Sequence, residues 1–273
     1  MIHKKISIQV EGSMPYAHLV TYIQEHSNEI GINKRKLILL GPGGGSGFTS
    51  DREADAMALA FLAMGYHAAV LRYSVAPAKY PTALLEVAAA VKIIREHAQE
   101  WHVDTNGIMV EGCSAGGHLA ASYGVYWKQS FVAESMGLSA EEAEQVLKPN
   151  GLILSYPVIT SGEYAHRGSF ENLLGDRQDE LGEAMSLELQ VNKDVPPVFI
   201  WHTFEDQVVP VENSLMFVAA LRREGISTEF HMYPKGCHGL ALANELTAGA
   251  TGGCVEPDCS SWISLVKTWI KNL

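Results

Sequence analysis

The chain of 273 residues is long enough for one large domain with a substantial core, and length alone permits two. Hydrophobic residues make up 47% of it and charged residues 19%, the balance of a globular chain and not of a disordered one. Acidic residues outnumber basic ones 31 to 20, and the charge of −11, without any run of five basic residues, argues against a nucleic-acid or anionic-membrane partner, since phosphate binding needs clustered Lys and Arg.

The N-terminal residues carry charge, but no apolar h-region follows, so they do not read as a signal peptide. No apolar stretch reaches the length of a transmembrane helix. The four cysteines, Cys113, Cys237, Cys254 and Cys259, are too few for a disulfide scaffold in a chain this long. The expectation is a soluble cytoplasmic protein with reduced thiols.

In chain order, two β-rich runs at 5–10 and 18–23 are separated by Gly12 and Pro15 and can pair as an antiparallel edge. A short apolar strand at 36–40 runs into Gly41-Pro-Gly-Gly-Gly45. Asp51 reads as an N-cap for the next helix, where Met57, Ala60, Phe61 and Met64 recur at helical spacing before Gly65 ends it. A strand at 67–73 follows. Leu84, Val87, Ala88, Val91 and Ile94 then form the apolar stripe of a helix entered at Pro81. Residues 107–111 predict a strand, followed by a sharp turn and a helix over 115–127. Further strands are expected at 151–155, 198–202 and 228–233, and helices at 212–223 and 261–270.

This alternation predicts an α/β fold: a single domain over 1–273 with a mostly parallel central sheet and helices on both faces. Residues 128–150 interrupt the alternation. Ser139-Ala-Glu-Glu142 matches a capping box there and Pro149 follows it, so this insertion reads as a surface excursion or a small cap. In such sheets, ligands bind beyond the carboxyl ends of the strands. Every candidate catalytic residue falls just after a strand.

The strongest local signal is Gly112-Cys-Ser-Ala-Gly116 between a predicted strand and a predicted helix. A nucleophile elbow needs this context, with small residues two before and two after the serine because the turn is tight. A serine hydroxyl also needs a base, and the base needs an orienting acid. In the α/β-hydrolase fold the chain order is Ser, acid, His. Asp206 follows the 198–202 strand and His238 follows the 228–233 strand, flanked by Gly236 and Gly239. Glu205 is the rival acid; Asp206 is preferred on its Asp-x-x-Val-Pro spacing. Oxyanion donors are expected at the amide of Ala115 and in the glycine run 41–45, whose residues allow close approach and positive φ. That run lacks the lysine of a phosphate loop, and it fits a dinucleotide fingerprint poorly.

Cys254 and Cys259 have no second pair of ligands nearby, so no metal is predicted. Cys113 is expected to point into the sheet, and Cys237 receives no role. His166 and Arg167, in a polar loop on the active-site edge, read as surface residues first and substrate contacts second. Tyr73 is a comparable pocket candidate.

From about residue 36 onward the chain resembles the small α/β-hydrolase esterases related to acetyl-xylan esterases and hormone-sensitive-lipase-like carboxylesterases. The resemblance rests on Pro42-Gly-Gly-Gly45, Ser50-Asp-Arg-Glu-Ala54, Leu71-Arg-Tyr-Ser74, Gly112-Cys-Ser-Ala-Gly-Gly-His118, Asp206-Gln-Val-Val-Pro210 and Gly236-Cys-His-Gly239. The lipase-like branch has His-Gly-Gly-Gly where this chain has Pro42; the Pro version looks like the bacterial acetyl-esterase branch. The resemblance implies Ser114, Asp206 and His238 as a triad and the amides of Gly44, Gly45 and Ala115 as an oxyanion hole. It implies hydrolysis of short acyl esters, acetyl groups on xylose-containing oligosaccharides among them, with no cofactor. The partner is then a small-molecule ester, and homo-oligomerisation is left open. Two other readings stand beside it: a serine peptidase or acylamide hydrolase on the same fold, and a hydrolase-fold binding protein without turnover.

Overall fold

The computed structural model describes all 273 residues. Eight strands form one sheet: β1 (Lys5–Ser7), β2 (His18–Tyr22), β3 (Arg35–Gly41), β4 (His67–Arg72), β5 (Val103–Cys113), β6 (Gly151–Ser155), β7 (Val198–Thr203) and β8 (Thr228–Tyr233). Their spatial order is β1-β2-β4-β3-β5-β6-β7-β8. The pairs β1–β2 and β2–β4 are antiparallel; all others are parallel. The antiparallel edge at the N-terminus is the one expected from the sequence. β3, β6 and β7 are buried almost throughout, which explains why they read as continuous apolar runs and not as alternating ones.

Nine α-helices complete the fold: α1 (Asp55–Ala63), α2 (Thr82–Glu96), α3 (Ala115–Tyr126), α4 (Ser130–Ser135), α5 (Ala140–Val146), α6 (Arg167–Leu174), α7 (Gln178–Leu181), α8 (Glu212–Glu224) and α9 (Trp262–Asn272). One face of the sheet packs against α2, α3 and α8 through residues such as Leu84, Val91, Ala121 and Phe217. The other face packs against α1 and α9 through Phe61, Trp262 and Trp269. Two separate cores on one sheet are the physical signature of a doubly covered layer. Every expected strand is present. No helix is long and apolar enough to cross a membrane.

Two local expectations are corrected. Asp51 does not cap α1. It opens a short 3₁₀ turn, Asp51–Glu53, and its exposed carboxylate pairs with Arg72 Nη2 at 2.9 Å, while Ala54 occupies the cap position of α1. The turn is what allows Glu53 to point inward. The insertion at 128–150 contains the expected capping box, in which the Ser139 and Glu142 side chains and amides bond reciprocally. It also contains α4, which the sequence did not suggest. This insertion packs against the late turns of α2 and α3: Lys92 Nζ donates to the Met136 carbonyl, Arg95 Nη2 to that of Lys148, and the Tyr123 hydroxyl to that of Leu147. Those contacts put it at the end of the helices away from Ser114, so it does not cap the strand ends. The segment between β6 and β7 takes that place, because Asn172 Nδ2 on α6 donates to the Gly45 carbonyl at 2.8 Å.

Candidate active site

Ser114 sits on the turn between β5 and α3 with φ 54° and ψ −118°. A side-chain-bearing residue at positive φ costs on the order of 1–3 kcal/mol and persists only when its surroundings over-determine it. Here the Ser114 amide donates to Ser155 on β6 at 3.0 Å, and its carbonyl accepts from Val158 at 3.0 Å and His118 at 3.1 Å. The flanking glycines are required by space. A Cβ at Gly112 would overlap the Gly116 carbonyl, and one at Gly116 would overlap the Gly41 carbonyl.

The structure brings the three side chains predicted from sequence together. Ser114 Oγ lies 2.7 Å from His238 Nε2, and His238 Nδ1 lies 2.6 Å from Asp206 Oδ2. Because Asp206 is the acceptor, Nδ1 carries the proton and Nε2 accepts from the serine hydroxyl. Asp206 is buried, whereas the rival Glu205 is exposed and faces away. Burial alone would push the Asp206 carboxyl up. Hydrogen bonds from His202 and His238, the nearby His238 charge and the Val209 amide outweigh it and hold the carboxyl far below the usual range. Its other oxygen accepts from the amides of Val208 and Val209, both at 2.9 Å.

His202 was not singled out in the sequence. Its Nε2 lies 3.2 Å from Asp206 Oδ2 and 3.0 Å from the Val209 carbonyl, both acceptors, so Nε2 carries the proton. Its Nδ1 then accepts from the Ser214 hydroxyl at 2.8 Å. Its position on the apolar run of β7 concealed it: within a buried strand a histidine reads as core.

The glycine loop passes directly over Ser114. A Cβ at Gly43 would come within 2.9 Å of the Ser114 Cβ and 2.7 Å of the Cys113 carbonyl. Gly44 and Gly45 have φ of +135° and +61°. The Gly43 amide is already used, donating to Glu53 Oε2 at 2.8 Å. The amides of Gly44 and Gly45 make no hydrogen bond within the protein, and Ala115, the first residue of α3, has no intrahelical acceptor for its own. Tyr73 belongs beneath this loop. Its buried hydroxyl donates to the Pro42 carbonyl at 2.6 Å, fixing the loop's entry.

Glu53 and Tyr156 join the loop to the histidine. Glu53 Oε1 accepts from the Tyr156 hydroxyl at 2.8 Å, that hydroxyl accepts from the Ala241 amide at 2.8 Å, and the Tyr156 ring stands edge-on to His238 at 5.1 Å between centroids. Burial pushes the Glu53 carboxyl up, against hydrogen bonds from Tyr156 and Gly43. Tyr156 directly follows β6, the kind of position at which the sequence did point to function. Glu53 carried no such signal beyond its place in Ser50-Asp-Arg-Glu-Ala54. Below the elbow, Cys113 points into the sheet as expected, its thiol donating to Glu111 Oε1 at 3.3 Å. Burial, with a contribution from Glu53, pushes the Glu111 carboxyl up to about 8.

His166 and Arg167 separate. Arg167 is exposed and bonds only the Gly162 carbonyl. His166 is half-buried, held by Ser169 Oγ at 2.8 Å, and lies 3.8 Å from where a Gly45 Cβ would be. Burial and the facing His238 both lower its pKa. His166 therefore lines the site. A mostly apolar cavity of about 470 Å³, counting the open space at its mouth, adjoins Ala115 and Ser46 and is walled by Tyr80, Leu84, Leu119 and Leu173.

The model of the BD-FAE family matches residues 43–221, from the glycine loop through most of α8. The chain belongs to the BD-FAE family. Among curated proteins, this BD-FAE member is 39% identical over 236 residues to an endo-1,4-beta-xylanase B of Butyrivibrio fibrisolvens, covering 84% of the chain and 36% of that protein. It is 29% identical over 163 residues to an acetylxylan esterase of Xylanibacter ruminicola, covering 58% and 31%. The chain thus spans about a third of the length of these relatives. Solved structures align along nearly their whole length. An acetyl ester-xyloside bifunctional hydrolase from Caldicellulosiruptor lactoaceticus superposes with a TM-score of 0.83 at 32% identity, covering 98% of this chain and 96% of that one. A carboxylesterase from Lactobacillus plantarum WCFS1 gives 0.83 at 25%, covering 100% and 98%. The BD-FAE member is accordingly an α/β-hydrolase related to esterases.

Proposed function

We propose that this chain is a serine carboxylesterase that removes short acyl groups, acetyl above all, from small esters, with acetylated xylo-oligosaccharides as the substrate class. The observation that carries the reading is the continuous chain Ser114 Oγ–His238 Nε2–Nδ1–Asp206 at 2.7 and 2.6 Å, beside three amides without protein acceptors. His238 Nε2 takes the Ser114 proton as Oγ attacks the ester carbonyl carbon. Asp206 holds the imidazole in the tautomer this needs and stabilises the imidazolium that forms. The carbonyl oxygen, now negative, receives hydrogen bonds from the amides of Gly44, Gly45 and Ala115, with the N-terminus of α3 adding its dipole. His238 returns the proton to the departing alcohol, leaving an acyl-enzyme. A water deprotonated by His238 attacks it, and the acid leaves as Ser114 regains its proton.

The alcohol and acyl preferences rest on other observations. The acetyl and xyloside words belong to relatives, and the cavity beside Ala115 is narrow and mostly apolar, walled by Tyr80, Leu84, Leu119 and Leu173. The experiment is release of p-nitrophenol from acetate, butyrate and octanoate esters by the wild type and Ser114→Ala, together with acetate release from acetylated xylo-oligosaccharides and a matched amide. Fast wild-type turnover that declines with chain length and vanishes in the variant is expected. Faster cleavage of the amide would replace the esterase reading with the acylamide one. Equal slow rates in both proteins, with no labelling of Ser114 by a fluorophosphonate, would leave a binding protein.

A further inference from the structure

Beside the site described above lies a second pair of reactive side chains with no part in that chemistry. Cys237 immediately precedes His238 and is exposed; Cys254 is half-buried; both thiols are free. They come from opposite ends of a loop 17 residues apart in sequence, and their sulfurs are 2.9 Å apart, with the Cys237 thiol donating to the Cys254 sulfur. That separation is within about an ångström of an S–S bond, whose length is ~2.05 Å. Cys254 has φ 63°, a conformation that side-chain-bearing residues avoid. It is delivered there by a glycine turn in which the Gly249 amide bonds the Gly253 carbonyl and the Gly252 amide bonds that of Gly249. The other two cysteines do not compete. Cys113 is buried against Glu111, and Cys259 is buried with its thiol donating to the Lys235 carbonyl at 3.3 Å.

We propose that Cys237 and Cys254 are a thiol–disulfide exchange site for low-molecular-weight disulfides of the oxidised-glutathione class, and that the intramolecular bond they form clamps the loop carrying His238. The exchange balances in two displacements. The Cys237 thiolate attacks one sulfur of the external disulfide, forming a mixed disulfide and releasing one external thiolate. The Cys254 thiolate then attacks the Cys237 sulfur of that mixed disulfide, forming the Cys237–Cys254 bond and releasing the second external thiolate. The protein loses two protons and two electrons; the external disulfide is reduced to two thiols. Partial burial, and then the neighbouring Cys254, push the Cys237 thiol up to about 11. Exchange is therefore slow at neutral pH and quickens in mild alkali.

The bond would close a loop containing Leu240–Ala243, where Ala241 and Ala243 also have positive φ. It would secure covalently a segment otherwise held by hydrogen bonds from its own amides to Tyr156 and Thr247 and from Trp262 to the Ala241 carbonyl. The bond itself does not depend on the esterase reading, so a mass measurement tests it without reference to turnover.

The reduced protein is incubated natively with oxidised glutathione in mild alkali, alkylated, digested at glutamate residues and analysed by mass spectrometry. The expected product lacks two hydrogens and yields a peptide pair joined through Cys237 and Cys254, with Cys113 and Cys259 alkylated only after denaturation. Cys254→Ser is expected to stop at a stable glutathione adduct on Cys237. Oxidation should raise the melting temperature of the wild type by about 5 °C, from the loop-closure contribution of a crosslink of this span, and leave that of Cys254→Ser unmoved. A persistent glutathione adduct on wild-type Cys237, two freely alkylated thiols, or a bond to Cys259 would each overturn the proposal.

Discussion

The turn that holds Ser114 and the loop that holds His238 place their side chains by different physics. At the elbow the backbone has nowhere else to go. Gly112 and Gly116 leave no room for a Cβ, and the parallel neighbour β6 takes up the amide of the serine. The His238 loop is not crowded in this way. It runs through positive φ at Gly236, Gly239, Ala241 and Ala243, and side chains from distant segments hold it. Thr203 Oγ1 donates to the Gly236 carbonyl, the Tyr156 hydroxyl accepts from the Ala241 amide, and Trp262 Nε1 donates to the Ala241 carbonyl. Ser114 is thus positioned by steric exclusion between close-packed backbones and His238 by polar contacts from distant segments. A change at the elbow should disrupt the fold or abolish the chemistry outright. A change around the histidine should loosen it in steps.

The largest effect tests the elbow's chemical end. Ser114→Ala removes the proposed nucleophile and relieves nothing in the packing, so kcat is expected to fall about 10⁴-fold or more with the folded circular-dichroism spectrum unchanged. Activity within tenfold of wild type would remove Ser114 from the mechanism. Gly116→Ala tests the steric end. Its Cβ meets the Gly41 carbonyl, a backbone atom unable to swing aside, so a loss of at least about 3 kcal/mol in urea unfolding is expected. A variant of wild-type stability would show that the turn has slack and that the contrast with the histidine loop is overstated.

On the other side of the comparison, Tyr156→Phe removes one hydroxyl that both supports Glu53 and receives the Ala241 amide. The buried amide left without a partner costs about 1–3 kcal/mol of stability, and kcat is expected to fall about tenfold, equivalent to ~1.4 kcal/mol in the barrier. Glu53→Gln keeps the shape and should give a smaller fall. If kcat is unmoved in both while stability drops, the network supports the fold and does not position His238.

The last effect lies beneath the elbow and is read against pH, unit by unit. The Glu111 carboxyl, pushed up to about 8 in the folded protein and ordinary when unfolded, keeps its proton in the folded state over the window from about 4.5 to 8 while the unfolded chain has lost it. The folded state then binds more protons, so this group makes stability fall as pH rises through that window, by at most ~1.4 kcal/mol per unit, and the slope ends above it. Glu111→Gln mimics the protonated form and should flatten the decline, gaining most over wild type near pH 8. Parallel stability curves for the two proteins would show that Glu111 does not carry the slope.

Much of this molecule was legible before its structure. The central strands announce themselves because a parallel strand buried on both faces needs an unbroken apolar run, as in β3 and β7. Ser114, Asp206 and His238 stood out because each follows a strand, where ligand sites of parallel sheets lie, and because Gly112 is demanded by the Gly116 carbonyl four residues on. Asp51 misled because a good capping residue and an exposed partner of Arg72 look the same in one dimension. The insertion at 128–150 left two readings open because length shows that a segment departs from the layers, not the edge toward which it departs.

What the tertiary structure alone decided are the contacts between residues remote in sequence. Glu53 spanning Gly43 and Tyr156, α6 over the glycine loop and Cys237 against Cys254 each join segments whose separation carries no periodicity or motif. Local sequence sets backbone conformation through sterics and hydrogen bonds that act over a few residues. Which buried polar atom answers another is settled only when packing of the sheet and its helices brings them within hydrogen-bond reach, where each unmet partner would cost stability.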